Sequence, residues 1–224
     1  MRSTRGPVGV GLTILFGYFF IAIAFGAGGR AMGLPAVATA GFSVFVFAGA
    51  SQFMALSLLA QGAGAIAVTL ATLVLNLRHL VMSLALRERI HGSRVPRPIL
   101  AFGITDEVFA ATASQPGAIG DTDLLVTELL AYTGWVGGTV VGYLIGGLLP
   151  PSLERAMGIA LYAMFVALIV PVLRRSPPCL APALAAGLVN WGLQGLGVPV
   201  GISLLVSIPA VAVLFGFSPG WSPE

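Results

Sequence analysis

Apolar residues run almost unbroken through seven stretches of this chain: Val10–Ala27, Gly41–Ala60, Ala63–Leu86, Leu124–Leu148, Ala156–Leu173, Leu180–Leu196 and Val198–Phe217. Each is close to the ~20 residues that an α-helix needs to cross the hydrocarbon core of a bilayer. A further segment, Ile99–Ala113, is too short to cross and holds Asp106 and Glu107 at its middle. Irregular backbone at membrane depth is tolerated where protein buries it, so this segment is predicted to be a re-entrant or broken helix. The expected fold is all-α: a polytopic membrane helix bundle of about seven spans, one domain over residues 1–224.

Polar residues inside the apolar stretches are few, and their spacing is informative. In the third stretch Thr69, Thr72, Asn76, His79 and Ser83 recur at intervals of three and four, so a helix puts them on one stripe. That stripe must face protein or water. Arg78 lies off it by ~100°, and an arginine at the centre of a span costs about 2.5–3.5 kcal/mol unless it snorkels or finds a partner. Asp106 and Glu107 are the only carboxylates expected at comparable depth, and the Arg78-His79 pair is predicted to approach them, each offsetting part of the other's burial cost. The alternative is an arginine that snorkels to lipid phosphate. Snorkelling leaves Asn76 and His79 unexplained.

The order of the stretches suggests an internal repeat. Leu34-Pro35 follows the first and Leu149-Pro150 the fourth, and Asn76 in the third answers to Asn190 in the sixth. Two related three-span halves, 10–86 and 124–196, with segment 99–113 between them, account for this pattern, which is a common mark of transporters that bind their ligand between the halves. With the N-terminus outside, Arg30, Arg87, Arg89, Arg94, Arg97, Arg174 and Arg175 face the cytoplasm and Arg2, Arg5 and Arg155 lie outside, as the positive-inside rule favours. The halves then begin on opposite sides and are inverted.

Composition narrows the class. Hydrophobic residues make up 57% and charged residues 8%, with mean hydropathy +0.99, against about 25% charged in a soluble domain. Met1-Arg2-Ser3-Thr4-Arg5 leads into a full-length apolar run, so the first span is expected to be retained and not cleaved as a signal peptide. The net charge of +3 comes from eleven arginines and no lysine, spread too thinly for nucleic acid. The single Cys179 and two histidines, one of them His91 in a loop, leave no basis for a disulfide or a metal site, and no cofactor is implied.

Several side chains are candidates for binding or coupling. In Phe47-Ala48-Gly49-Ala50-Ser51-Gln52-Phe53, Gln52 shares a face with Gly41, Ala48 and Ala55, where a neighbouring backbone can approach and the amide can reach it or a ligand. Asn190 and Gln194 offer neutral hydrogen-bonding groups in the second half, as ligand contacts or as glue between helices. An intramembrane hydrolase with Ser51 as nucleophile and His79 as base is a different class of reading, as is a membrane scaffold without transport; the first needs an orienting group and an oxyanion hole, at which Gly49-Ala50-Ser51 only hints.

The segments GLPAVATAGFSVFVFAGASQFMALSLLAQGA, LVLNLRHLVMSLALRERI and ILAFGITDEVFA closely resemble the AzlC family, the large subunit of branched-chain amino acid exporters. The similarity runs from about Thr13 to Phe215 and is densest from Gly33 to Phe109, with the signature segments at Phe47–Phe53, Asn76–His79 and Thr105–Glu107. The resemblance implies a multi-pass protein of the bacterial cytoplasmic (inner) membrane that exports leucine, isoleucine, valine and often methionine together with a small AzlD-type membrane subunit. On that reading Arg78 takes the substrate carboxylate, Asp106 or Glu107 its ammonium or the coupling proton, and His79 titrates. Gln52 and Asn76 complete the first-half site, and Phe45, Phe53 and Phe109 contribute to an apolar pocket.

Overall fold

The computed structural model describes residues 6–148, 180–198 and 200–216, with positions 150, 166, 170 and 178 between them. The protein is an all-helical membrane protein; among the described residues three helices are long and apolar enough to cross a bilayer, Pro7–Ala31 (α1), Ala65–Leu86 (α4) and Asp121–Leu148. The last consists of α7, Asp121–Ile145, and a terminal 3-10 turn, Gly146–Leu148.

α1 and α7 form the spine. Gly134, Gly138, Gly142 and Gly146 repeat every fourth residue and form one stripe, against which the main chain of α1 lies directly. A Cβ on Gly134 would come 2.9 Å from Leu15 Cα, one on Gly142 2.6 Å from Ile23 Cα, and one on Gly146 2.9 Å from Ala27 Cα. Lipid tails are as apolar as leucine, so close backbone approach is what holds membrane helices together, and only small residues permit it. The ends are tied as well: Thr127 Oγ1 donates to Pro7 O at 3.2 Å, and Arg30 Nη1 donates to Tyr143 O and Leu144 O at 3.0 and 2.8 Å, capping carbonyls at the end of α7. Contact positions rise together along both helices, so α1 and α7 run parallel.

The stretch Gly41–Ala60 is not one span. It folds as α2, Ala36–Phe45, and α3, Gly49–Ala60, separated at Val46–Ala48, where Phe47 has φ +44. A left-handed φ is rare for a bulky residue and reverses the chain here. The two legs lie side by side: Phe42 and Phe53 both pack on Phe25, with ring centroids 6.4 and 5.7 Å away, and Gln52 Nε2 donates back to Ser43 Oγ at 2.9 Å. Thr39 packs on Gly29 and Leu56 on Gly28, so both legs leave toward the C-terminal end of α1. This is a re-entrant hairpin that enters from that end and turns beside Tyr18 and Tyr132.

α4 then crosses back, with Val68 and Ala71 packed against Ala55 and Leu58 of α3. The segment expected to be broken is so: α5, Arg97–Gly103, and α6, Asp106–Ala113, meet at Ile104-Thr105. Both of its ends lie at one place. β1, Ile90–His91, pairs in parallel with β2, Ile119–Gly120. Arg89 donates to the carbonyls of Ala113, Gln115 and Gly117, Arg97 to Ile90 O, and Asp121 Oδ2 accepts the amides of Arg94 and Val95 at 2.8 and 3.1 Å. The second hairpin therefore enters from the N-terminal end of α1, opposite the first. Their tips meet in mid-membrane, where Phe47 and Phe102 have ring centroids 6.0 Å apart. Beyond α7 the described helices are α8, Leu180–Gly195, and α9, Val200–Gly216; α9 packs on α8 and α4.

These observations correct four expectations. Gly41–Ala60 enters and leaves by the same face, because a mid-stretch reversal is invisible to a hydropathy count. The helical face drawn from Gly41 to Ala55 is also broken, since Gly41 is on one leg and Gln52 on the other. With one crossing fewer, the first helices of the two expected halves, α1 and α7, start on the same side, and those halves are not inverted. Leu149 and, apart from positions 166 and 170, the stretch Ala156–Leu173 of the second half lie outside the described residues. Parity also reverses the orientation: Arg87, Arg89, Arg94 and Arg97 lie at the end where α1 begins and Arg30 at the other, so the positive-inside rule now puts the start of α1 in the cytoplasm. Gly6→Cys and Ser93→Cys are expected to react with a membrane-impermeant thiol reagent from the cytoplasmic face only, and Gln61→Cys from the outer face only. Labelling of Gly6→Cys and Ser93→Cys from opposite faces would refute the hairpin topology.

Candidate functional site

At the meeting point of the two tips, α4 and the second hairpin bring together Asn76, Arg78, His79, Asp106 and Glu107. Arg78 Nη2 and Asp106 Oδ2 form an ion pair at 2.8 Å, with about a quarter of each side chain accessible. His79 Nδ1 lies 3.0 Å from Ile104 O, the carbonyl exposed where α5 ends. A carbonyl only accepts, so Nδ1 carries the hydrogen and Nε2 is left as an acceptor. From α1, Tyr18 Oη donates to Glu107 Oε2 and lies 2.7 Å from Thr105 Oγ1. Four buried polar atoms in this cluster have no hydrogen-bond partner among the described residues: Asn76 Oδ1, Arg78 Nε, His79 Nε2 and Glu107 Oε1. An unpaired buried polar atom costs about 1–3 kcal/mol, and here four such atoms lie in one cluster.

Of the polar stripe on α4, the hydroxyls are turned inward. Thr72 Oγ1 donates to Val68 O at 2.8 Å and Ser83 Oγ to His79 O at 2.7 Å, and Thr69 is exposed. The flanking face, with Leu73, Leu77, Leu80 and Leu84 about 100° round the helix, is apolar and exposed. The stripe thus narrows to Asn76 and His79, one turn apart, with Arg78 beside them.

Gln52 belongs to a second cluster. Its Oε1 accepts from Trp135 Nε1 at 2.9 Å and from Ala48 N at 3.2 Å, its Nε2 donates to Ser43 Oγ, and Ser43 Oγ is 2.7 Å from Thr139 Oγ1. The side chain is 1% exposed and both polar atoms of its amide are engaged, so Gln52 clamps both legs of the first hairpin to α7. Trp135 also meets Tyr18 edge to face, 5.3 Å between centroids, so the two clusters share a wall.

The sequence reading missed Tyr18, Trp135 and Glu128. Glu128, on α7, is 3% exposed, so Asp106 and Glu107 are not the only carboxylates at depth. The four-residue glycine stripe was a signal that α7 is gripped by another helix, which proves to be α1; Glu128 is covered instead by Gly103 of the second hairpin, and neither it nor Tyr18 carried a comparable signal. Elsewhere the expected contributors are not brought to the cluster. Asn190 Oδ1 accepts from Ser203 Oγ at 2.7 Å, joining α8 to α9, Gln194 is exposed, and Phe45 is 80% exposed, while Phe53 and Phe109 pack against the main apolar core. Ser51 Oγ donates to Ala48 O at 2.9 Å and His79 Nδ1 is held at Ile104 O, and no hydrogen bond joins Ser51 to His79 among the described residues. Among the described residues no group of three or more His, Cys, Asp and Glu side chains is placed to hold a metal.

Comparison with known proteins places the sequence among membrane proteins. The family described as AzlC protein matches residues 13–149. The chain is 31% identical over 201 residues to the inner membrane protein YgaZ of Escherichia coli, covering 85% of this chain and 81% of that one. An uncharacterized membrane protein of Archaeoglobus fulgidus is 35% identical over 72% of each chain. The branched-chain amino acid transport protein AzlC of Bacillus subtilis is 25% identical over 71% of this chain and 63% of its own. No solved structure matches. With three apolar spans and two opposed hairpins among its described residues, the chain is a multi-pass membrane protein and belongs to the AzlC family.

Proposed function

We infer that this protein is a secondary exporter of branched-chain amino acids, leucine, isoleucine and valine, and of methionine. It is driven by the proton or membrane gradient and works with a small AzlD-type membrane subunit. The observation that carries the reading is the set of four unpartnered polar atoms at the meeting of the hairpin tips. A zwitterion needs both signs of charge, and the set supplies them. Arg78, held through Nη2 by Asp106, presents its free Nε edge to a carboxylate, with Asn76 alongside. Glu107, held through one oxygen by Tyr18, presents the other to an ammonium, and His79 Nε2 accepts a hydrogen bond or a proton. Gln52 acts one step back, fixing the first tip against α7.

Hairpins that enter from opposite faces and touch in mid-membrane suit alternating access, because each closes one route to a shared site while the other opens. An aliphatic side chain contributes affinity through burial of about 0.8 kcal/mol per CH2, which favours the branched-chain class over glycine or alanine. The test is counterflow in proteoliposomes of the full chain, with and without the small subunit. Radiolabelled leucine is expected to accumulate against unlabelled leucine, isoleucine or valine inside the vesicles, and not against glycine. Counterflow with none of the branched-chain amino acids, in either preparation, rules the substrate assignment out.

A further inference from the structure

Glu128 is buried between α7 and the second hairpin, away from the Arg78–Asp106 pair, and neither of its carboxylate oxygens has a hydrogen-bond partner among the described residues. Gly103, the last residue of α5, is seated on it: a Cβ there would come 2.7 Å from Glu128 Cγ. Only a residue without a side chain lets the hairpin tip come this close. Toward the N-terminal end of α7 a polar cavity of about 160 Å3 is lined by Thr112 and Gln115 of the second hairpin and its exit, and by Asp123 and Thr127 of α7; Thr127, the neighbour of Glu128, lines it, and Glu128 itself does not.

Among the described residues the neighbouring charges do not offset it. On α1, Tyr18 is engaged by Glu107 and Arg30 by the last carbonyls of α7. On the second hairpin, Arg97 donates to Ile90 O, Asp106 pairs with Arg78, and Glu107 faces Tyr18. On α7 itself Asp121 accepts the amides of Arg94 and Val95, Tyr132 donates to Val44 O, Tyr143 donates to Leu34 O and Asp123 lines the cavity. An ionised Glu128 in this setting carries the cost of leaving water with nothing set against it, so the charge is removed by a bound ion or the packing opens. A metal-type cation needs several oxygen ligands, and no cluster of acidic or histidine side chains surrounds this one among the described residues. A proton needs only the one carboxylate.

We propose that Glu128 is a proton-binding site of the transport cycle, coupled to the position of the second hairpin. With Gly103 seated, Glu128 holds its proton. When the hairpin lifts, the carboxyl O–H bond breaks, the proton passes to water on the side of the polar cavity, and the carboxylate is hydrated. Reseating the hairpin requires the proton back. This rests on the reading of the chain as a gradient-coupled exporter, but the site can be read without substrate.

The direct test is infrared spectroscopy of the full chain in lipid vesicles across a pH titration. The wild type is expected to show, at neutral pH, the carbonyl band of a protonated carboxylic acid, shifted by deuterium exchange and lost in Glu128→Gln. Glu128→Asp, which keeps a carboxyl, is expected to restore a band at a changed frequency, and it serves if the glutamine variant fails to fold. In the same vesicles Glu128→Gln is expected to lose at least tenfold in accumulation of leucine driven by a pH gradient, and its exchange rate is expected to lose the pH dependence of the wild type. Absence of the band in wild type, or its persistence in Glu128→Gln, overturns the proposal. So does wild-type gradient-driven accumulation in that variant. A band that behaves as expected in a protein without leucine counterflow leaves the proton site standing and refutes the substrate assignment instead.

Discussion

Arg78→Ala is expected to abolish leucine counterflow and to lower stability by about 3 kcal/mol, the low end of the ~3–5 kcal/mol that follows loss of one partner of a buried ion pair. The low end applies because about a quarter of each side chain is accessible. Without the guanidinium, Asp106 stands at the tip of the second hairpin with no counter-charge, beside a Glu107 that has one unpaired oxygen already. Arg78→Lys separates the two roles. It keeps the charge, so thermal unfolding in detergent is expected to stay near wild type. It loses the planar fork that can hold Asp106 with one edge and a substrate carboxylate with the other, so leucine affinity is expected to fall at least tenfold, about 1.4 kcal/mol. Wild-type affinity in Arg78→Lys, measured by concentration-dependent counterflow, would move Arg78 from the binding site to the scaffold.

Gly142→Leu is expected to be the most damaging single substitution in the spine. The new Cβ would sit 2.6 Å from Ile23 Cα and 2.7 Å from Ile23 C, atoms of the main chain of α1 that cannot rotate away. Overpacking a core costs about 1–3 kcal/mol where side chains can yield; here the axes of α1 and α7 must separate, and with them Tyr18 from Trp135. Gly137→Leu on the same helix is the control, since nothing lies within 4 Å of its Cβ position. The expected result is loss of folded protein on size-exclusion chromatography for Gly142→Leu and a wild-type profile for Gly137→Leu. Equal behaviour of the two would mean that the close approach of α1 and α7 is not what holds the spine together.

The same contrast explains how far the site was legible beforehand. Asn76, Arg78, His79, Asp106 and Glu107 stand out because a polar side chain in an apolar run is costly and must be answered. Helical period places the first three within one turn of each other, and opposite charge pairs Arg78 with an acidic partner. Tyr18 was hidden among Phe16, Phe19 and Phe20, where a phenol reads as one more aromatic ring. Gln52 was visible as polar, but its employment in a closed clamp depends on Trp135, which lies 83 residues away. Asn190 and Gln194 were chosen by analogy with the first half, and analogy says nothing about which helix a side chain meets.

What the sequence determined by itself is the solvent, the helical class and the chemistry. Runs of about 20 apolar residues with 8% charge leave no stable state except helices in lipid. The acidic segment 99–113 is too short and too polar to span, so its broken form was dictated locally. The first hairpin was not. Gly41–Ala60 has the length and hydropathy of a crossing helix, and the reversal at Phe47 is stable only because Tyr18, Tyr132 and Phe102 enclose that ring and Gln52 ties the two legs to α7. Those contacts join residues far apart in the chain, so only the tertiary structure could decide the reversal. With it were decided the parity of the crossings, the parallel pairing of α1 with α7 and the orientation in the membrane.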